Sequence, residues 1–216
     1  MNAPKPILPA AALLAASVAC LPAGLKPSAP DLYALDPAVA RPEAAAAEAP
    51  VPVAVAAPRA APGLEGRGIV YVQREHELRY FARSAWVDSP ARMLAPLLSR
   101  ALEADGAFRV VAGPGGEPAR LRLETDLLRL QHEFTARPSR VRLVLRARLV
   151  DAGTRRSLGE REIEIVEPAP SDDPYGGVLA ANAAAARAVS EVAAGCATWA
   201  RGTPSATAER SARRSE

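Results

Sequence analysis

Leu121-Arg122-Leu123-Glu124-Thr125-Asp126-Leu127 and Val141-Arg142-Leu143-Val144-Leu145-Arg146-Ala147-Arg148-Leu149 carry the pattern that decides the fold. In the first stretch Leu121, Leu123, Thr125 and Leu127 share one side, while Arg120, Arg122, Glu124 and Asp126 share the other. The second repeats the alternation, with Val141, Leu143, Leu145, Ala147 and Leu149 inside and Arg142, Arg146 and Arg148 outside. After the turn Asp151-Ala152-Gly153, Ile163 and Ile165 continue the inner face, and Glu162 and Glu164 the outer one. A period of two with one apolar face predicts antiparallel sheet, buried on one side and solvated on the other. The outward arginines then have glutamates and an aspartate within cross-strand reach. The basic row therefore reads as a ladder of solvated ion pairs, not as an anion site.

Upstream, Val51 to Val55 is a predicted strand, and Gly68 to Arg74 with Glu77 to Ala82 is a predicted hairpin turning near Glu75 and His76. A helix starts after Ser89, whose hydroxyl is placed to cap it, with Pro90 at the first helical position. Met93, Leu94, Leu97, Leu98, Ala101 and Leu102 form its apolar stripe. Pro96 removes one hydrogen bond inside it, which predicts a kink or a late start. The helix stops at Asp105-Gly106, and Phe108 to Ala112 enters a strand. Downstream, Asp173 caps a long helix from Pro174 to about Ala200, in which Val178, Leu179, Ala181, Ala185, Val189, Val192, Cys196 and Trp199 recur at helical spacing. Asn182 falls on that stripe and needs hydrogen-bond partners if buried. With so many small residues, the stripe should lie close against the sheet or against a neighbouring subunit of a homo-oligomer. The expected fold class is α/β (α+β): one compact domain, with a mixed or mainly antiparallel sheet and two main helices packed on one face.

The ends of the chain have a different composition. Residues 1–19 carry a single cation, Lys5, then a nearly uncharged apolar run from Ile7 to Ala16, then the small residues Ser17 and Ala19 ahead of Cys20. That is a signal-peptide profile, shorter than the ~20 residues a spanning helix needs and interrupted by Pro9. Leu13 to Cys20 (LLAASVAC) resembles the signal at which bacterial lipoproteins are acylated on cysteine and cleaved before it, with Ser17 standing where a branched apolar residue is usual. Ser17 and Ala19 also satisfy the small-x-small rule of the ordinary signal peptidase, which would leave Cys20 bare. Residues 20–50, rich in Ala and Pro, read as a tether, with Tyr33 and Leu35 alternating like a short strand inside it. The folded domain is expected over 51–200, and 201–216, which lacks large apolar residues, as a disordered tail.

Of 216 residues, 49% are hydrophobic and only 4% aromatic, so the core must be built of Leu, Val, Ile and Ala. The 27 basic and 24 acidic residues are interspersed, which argues against nucleic-acid binding. Cys196 lies in a helical apolar pattern and reads as a small buried hydrophobe; were Cys20 not acylated, the two cysteines could pair in an oxidising compartment. His76 and His132 have no cysteine or second histidine at ligand spacing, so neither a metal nor another cofactor is expected. Gly113-Pro114-Gly115-Gly116 is followed by neither a P-loop lysine nor a dinucleotide fingerprint, and no serine sits in a nucleophile elbow. The chain is not expected to be an enzyme.

From Tyr33 to Trp199 the chain resembles the ABC-type transport auxiliary lipoproteins, periplasmic components associated with lipid-transport systems that use mammalian-cell-entry (MCE) domains. The resemblance rests on Asp31 to Asp36 after the cysteine, Ile69-Val70-Tyr71 with Leu78-Arg79-Tyr80, and Trp86 followed by Ser89-Pro90. It continues through Phe108-Arg109-Val110, the two alternating strands and the alanine-rich helix around Ala181-Asn182-Ala183. It implies an accessory lipoprotein without catalytic activity, held by acyl chains such as palmitate at Cys20 and docking on an MCE protein with its ABC permease and ATPase. Leu21 after the cysteine, in place of a retaining aspartate, favours the periplasmic face of the outer membrane. The alternatives are a structural or assembly lipoprotein, or a soluble periplasmic binding protein if Cys20 is not lipidated. Tyr80 and Trp86 are the candidate partner interface, since large amphipathic rings make good anchors, although in so aromatic-poor a chain the stronger reading is that both fill the gap between hairpin and helix.

Overall fold

The computed structural model describes residues 29–38, 49–111 and 117–202. Its longest strand, β7 (Leu121–Glu133), pairs along its whole length with antiparallel β8 (Arg140–Asp151), which pairs in turn with antiparallel β9 (Ser157–Pro168). The other edge of β7 is shared end to end by three parallel strands. β2 (Val51–Val55) pairs at Leu121 to Leu123, β3 (Arg59–Ala60) at Asp126 and Leu127, and β4 (Gly68–Val72) at His132 and Glu133. β4 forms an antiparallel hairpin with β5 (Leu78–Trp86), and β1 (Asp31–Tyr33) lies parallel to β5 at the sheet's edge. β6 (Phe108–Val110) runs parallel to β2. The sheet is therefore mixed, with nine strands among the described residues.

The inner face of β7, β8 and β9 is as the alternation predicts. Leu121, Leu123, Leu127, Leu143, Leu145, Leu149, Ile163 and Ile165 are all buried. Each such side chain contributes about 1.5–3 kcal/mol on leaving water. β7 runs on past Leu127 through a bulge at Leu128, which shifts the phase so that Leu130 and His132 join the inner face. The outer face carries the ion pairs: Arg142 with Glu133 and Glu164, Arg146 with Glu162 and Glu160, Arg148 with Glu124, and Arg59 with Asp126.

Helix α1 (Pro90–Asp105) starts where expected, without delay, but Ser89 does not cap it with its side chain. Its N–H instead donates to the Asp88 carboxylate at 2.7 Å. Pro96 is accommodated because it lies on the exposed side together with Arg92, so water can satisfy the Arg92 carbonyl that Pro96 leaves without a donor. Gly106 closes α1 at φ 82°, a conformation that costs glycine nothing. Helix α2 (Pro174–Arg201) is capped by Asp173, whose carboxylate accepts the Gly176 N–H at 2.8 Å. It packs on β8, β9 and α1. Leu179, expected on its buried stripe, is 44% exposed instead. Within the 20–50 stretch read as tether, Asp31–Tyr33 belongs to the sheet and Leu35 to the core.

Candidate functional site

Asn182 is the polar residue that the sequence singled out in α2, and it fastens the incoming chain. Its Nδ2 donates to Ala34 O at 3.2 Å and to Val178 O at 3.0 Å, and its Oδ1 accepts the Asp36 N–H at 2.8 Å. Arg100 of α1 donates to Asp36 at 2.9 Å. β1 is thereby tied to β5 and to both helices. Beside it lies a cleft of about 640 Å³ between β1, β5 and the start of α2, lined by Asp31, Tyr33, Phe81, Ser84, Asp173 and Tyr175. Tyr33 and Tyr175 face each other across it at 6.1 Å between ring centroids.

On the opposite face of the sheet, a groove of about 790 Å³ has an apolar wall of Pro62, Leu64, Val70, Val72 and Leu78. Its other wall holds Arg129, Glu133, Arg140 and Arg142. Glu133 is buried, and takes hydrogen bonds from Arg142 Nε (2.7 Å), Gln131 Nε2 (2.8 Å) and Arg140 Nε (2.9 Å). Burial pushes its carboxyl up, but the bonds from Arg142, Gln131 and Arg140 outweigh that and hold it at about 2. Tyr80 stands at the groove's rim, half exposed. Its ring covers Gly68, where a Cβ would come within 2.5 Å of Cδ1, and its hydroxyl donates to Gly63 O at 2.9 Å. Trp86, the second proposed interface residue, is 2% exposed and is a core residue. It cannot meet a partner without unfolding, because its ring fills the space between hairpin and helices.

His132 and Ser139 form a buried pair, Nε2 to Oγ 2.8 Å, that the sequence did not reveal. Asp172 accepts the Ser139 N–H at 3.1 Å, while His132 Nδ1 has no hydrogen-bond partner and faces Gly177, where a Cβ would lie 2.5 Å away. Burial pushes the His132 imidazole down, against the opposing pull of Asp172 and Asp173. A nucleophilic serine needs a histidine oriented by a third group and open to substrate, and this pair has neither feature. Cys196 is fully buried, its thiol pushed up to about 12 first by burial and then by Asp105. Among the described residues no group of three or more His, Cys, Asp or Glu is arranged to hold a metal, and no helix is long and apolar enough to cross a membrane. Ala19, Cys20 and Gly113 to Gly116 lie outside the described residues.

The described residues form one open mixed sheet with two helices on one face, with the chain just after β1 clamped by the Asn182 amide. The family of ABC-type transport auxiliary lipoprotein components matches residues 33–193, and the chain belongs to it. A crystal structure of a Xanthomonas campestris protein of the family DUF330 shares the fold, with TM-score 0.67 and 22% identity over 74% of this chain and 91% of that one. A second crystal structure, of an uncharacterized protein, gives TM-score 0.62 and 14% identity over 76% of this chain and 97% of the other. No curated protein matches the chain.

Proposed function

We propose that the protein is a noncatalytic accessory lipoprotein of an MCE-type ABC lipid transport system, acylated on the Cys20 thiol and then cleaved between Ala19 and Cys20, and facing the periplasm from the outer membrane. The family match over residues 33–193 carries this reading. The cysteine eleven positions before β1 agrees with it, as does Leu21 after the cysteine. In this reading residues 1–19 are removed, the remainder of 20–50 outside Asp31–Asp36 is tether, and 201–216 is a tail. Several acyl chains, at about 0.8 kcal/mol per buried methylene, make the attachment effectively permanent. The MCE protein docks where Tyr80 and Leu78 stand exposed at the outer groove, a rigid ring beside an unpartnered aliphatic side chain.

Affinity purification of the acylated protein from its native host tests this. The MCE protein should co-purify with its permease and ATPase, and Tyr80→Ala should reduce their yield while leaving the protein folded. Recovery of outer-membrane proteins with no MCE component would instead establish the structural or assembly role.

A further inference from the structure

The two ends of the domain differ in what they show to solvent. At one end, the exposed apolar side chains Leu32, Val87, Tyr175 and Leu179 flank β1. Leu32 pairs with Ala85 across the β1–β5 ladder, and the Val87 N–H bonds Tyr33 O at 2.8 Å, which places both beside the edge strand. Tyr175 meets the Tyr33 ring from the first turn of α2, and Leu179 stands one turn further on. At the other end, the β8–β9 turn is Asp151-Ala152-Gly153-Thr154-Arg155-Arg156, with no large apolar residue. Through the β1–β5, β5–β4 and β4–β7 ladders Leu32 is level with Arg129, eight residues from the Leu121 end of β7 where the turn lies, or roughly 25 Å along the strands at ~3.3 Å per residue, with β5, β4 and β7 between them across the sheet.

The chain enters at the apolar end. Eleven residues from Cys20 to Asp31 span at most about 40 Å when fully extended. β1 is held by its ladder to β5, and the Asn182 clamp on Ala34 and Asp36 stops the chain from peeling beyond β1 to lengthen that reach. We propose that the β1 edge, through Leu32, Val87, Tyr175 and Leu179, is a membrane-contacting surface that lies on the lipid leaflet holding the anchor, with the β8–β9 turn pointing away from it. The proposal rests on acylation of Cys20 for its tether. Tyrosine and leucine at such an edge suit the boundary between headgroup and acyl chain, where a ring can be half apolar and half wet.

The test labels one thiol at a time with an environment-sensitive nitrobenzoxadiazole maleimide, in Leu179→Cys and, separately, Arg156→Cys. Cys196 is buried and does not compete. Each protein is examined in two forms. One is the acylated chain in vesicles of phosphatidylethanolamine and phosphatidylglycerol. The other is the mature chain from Leu21, held through an N-terminal hexahistidine on nickel-chelating lipid in the same vesicles. The label at 179 should blue-shift and be quenched by doxyl-labelled lipid several-fold more than the label at 156, in both forms. Equal quenching at the two positions overturns the proposal. So does a blue shift at 179 that doxyl lipid does not quench, which would show a second copy or another protein covering the patch. If the acylated chain fails to float with vesicles, the reading of Cys20 is wrong, and the nickel-lipid form still decides whether this edge meets lipid.

Discussion

α1 reaches the core with leucines, Leu94, Leu97, Leu98 and Leu102, whereas α2 reaches it with Ala184, Ala185 and Ala188 and relies on Val189, Val192 and Cys196 for bulk. Large side chains fill space at a distance from the backbone. Small ones let the backbone itself approach, and the glycines mark how closely α2 has done so. Gly177 sits against the His132 ring, and Gly159 of β9 lies under the ring of Trp199 near the other end of the helix. One layer of helices thus has two kinds of tolerance: α1 should resist the loss of volume badly, and α2 the gain of it.

The largest effect is expected from Leu98→Ala in α1. It removes a 1% exposed side chain and should cost about 2.7–5 kcal/mol in urea unfolding of the non-acylated domain. A loss well below that range would show α1 to be loosely seated, and the contrast would fail. In α2 the informative change is the opposite one. Ala188→Leu should cost about 1–3 kcal/mol by overpacking, although leucine is a good helix former. An unchanged urea midpoint would mean that α2 has slack against the sheet.

The smallest effect is a pH dependence that enters on the α2 side. The His132 imidazole is held below its ordinary 6.5 by burial under Gly177, so the native state binds fewer protons there than the unfolded chain. Its contribution is complete above 6.5 and is lost as pH falls below that value. Glu133, held at about 2 against an ordinary 4.5, acts in the same direction but only below about 4.5. Urea midpoints measured against pH should therefore begin to decline near 6.5 in the wild type, and only near 4.5 in His132→Asn. Identical curves for the two proteins would show that His132 is not the group responsible.

Much of this was legible in the sequence, wherever a local period recorded it. The inner faces of β8 and β9, the first half of β7, the stripe of α1 and the Asp173 cap all followed from spacing. The second half of β7 did not, because Leu128 is an extra residue and the alternation restarts one position late. β2 and β4 were legible as strands, but their parallel pairing with β7, and β3 altogether, left no local trace, since parallel pairing joins segments far apart in the chain. Leu179 was misread for a geometric reason. It shares a row with Ala183 and Ala186 on the solvent side, one residue out of step with the buried row through Ala180, Ala184 and Ala188. The same difference separates the candidate sites. Asn182 stood out as one polar residue in an apolar stripe. Glu133 with its arginines and His132 with Ser139 are brought together only by the register of β7 on β8.

The shared edge of β7 also fixes an order of events during synthesis. A ribosome reads the chain from its first residue, so β2 and β3 emerge long before the strand that seats them. Until Leu121–Glu133 has been made, they present bare strand edges with little to pair against. A nascent chain stalled or clipped ahead of that segment is therefore the form of this protein most prone to aggregate.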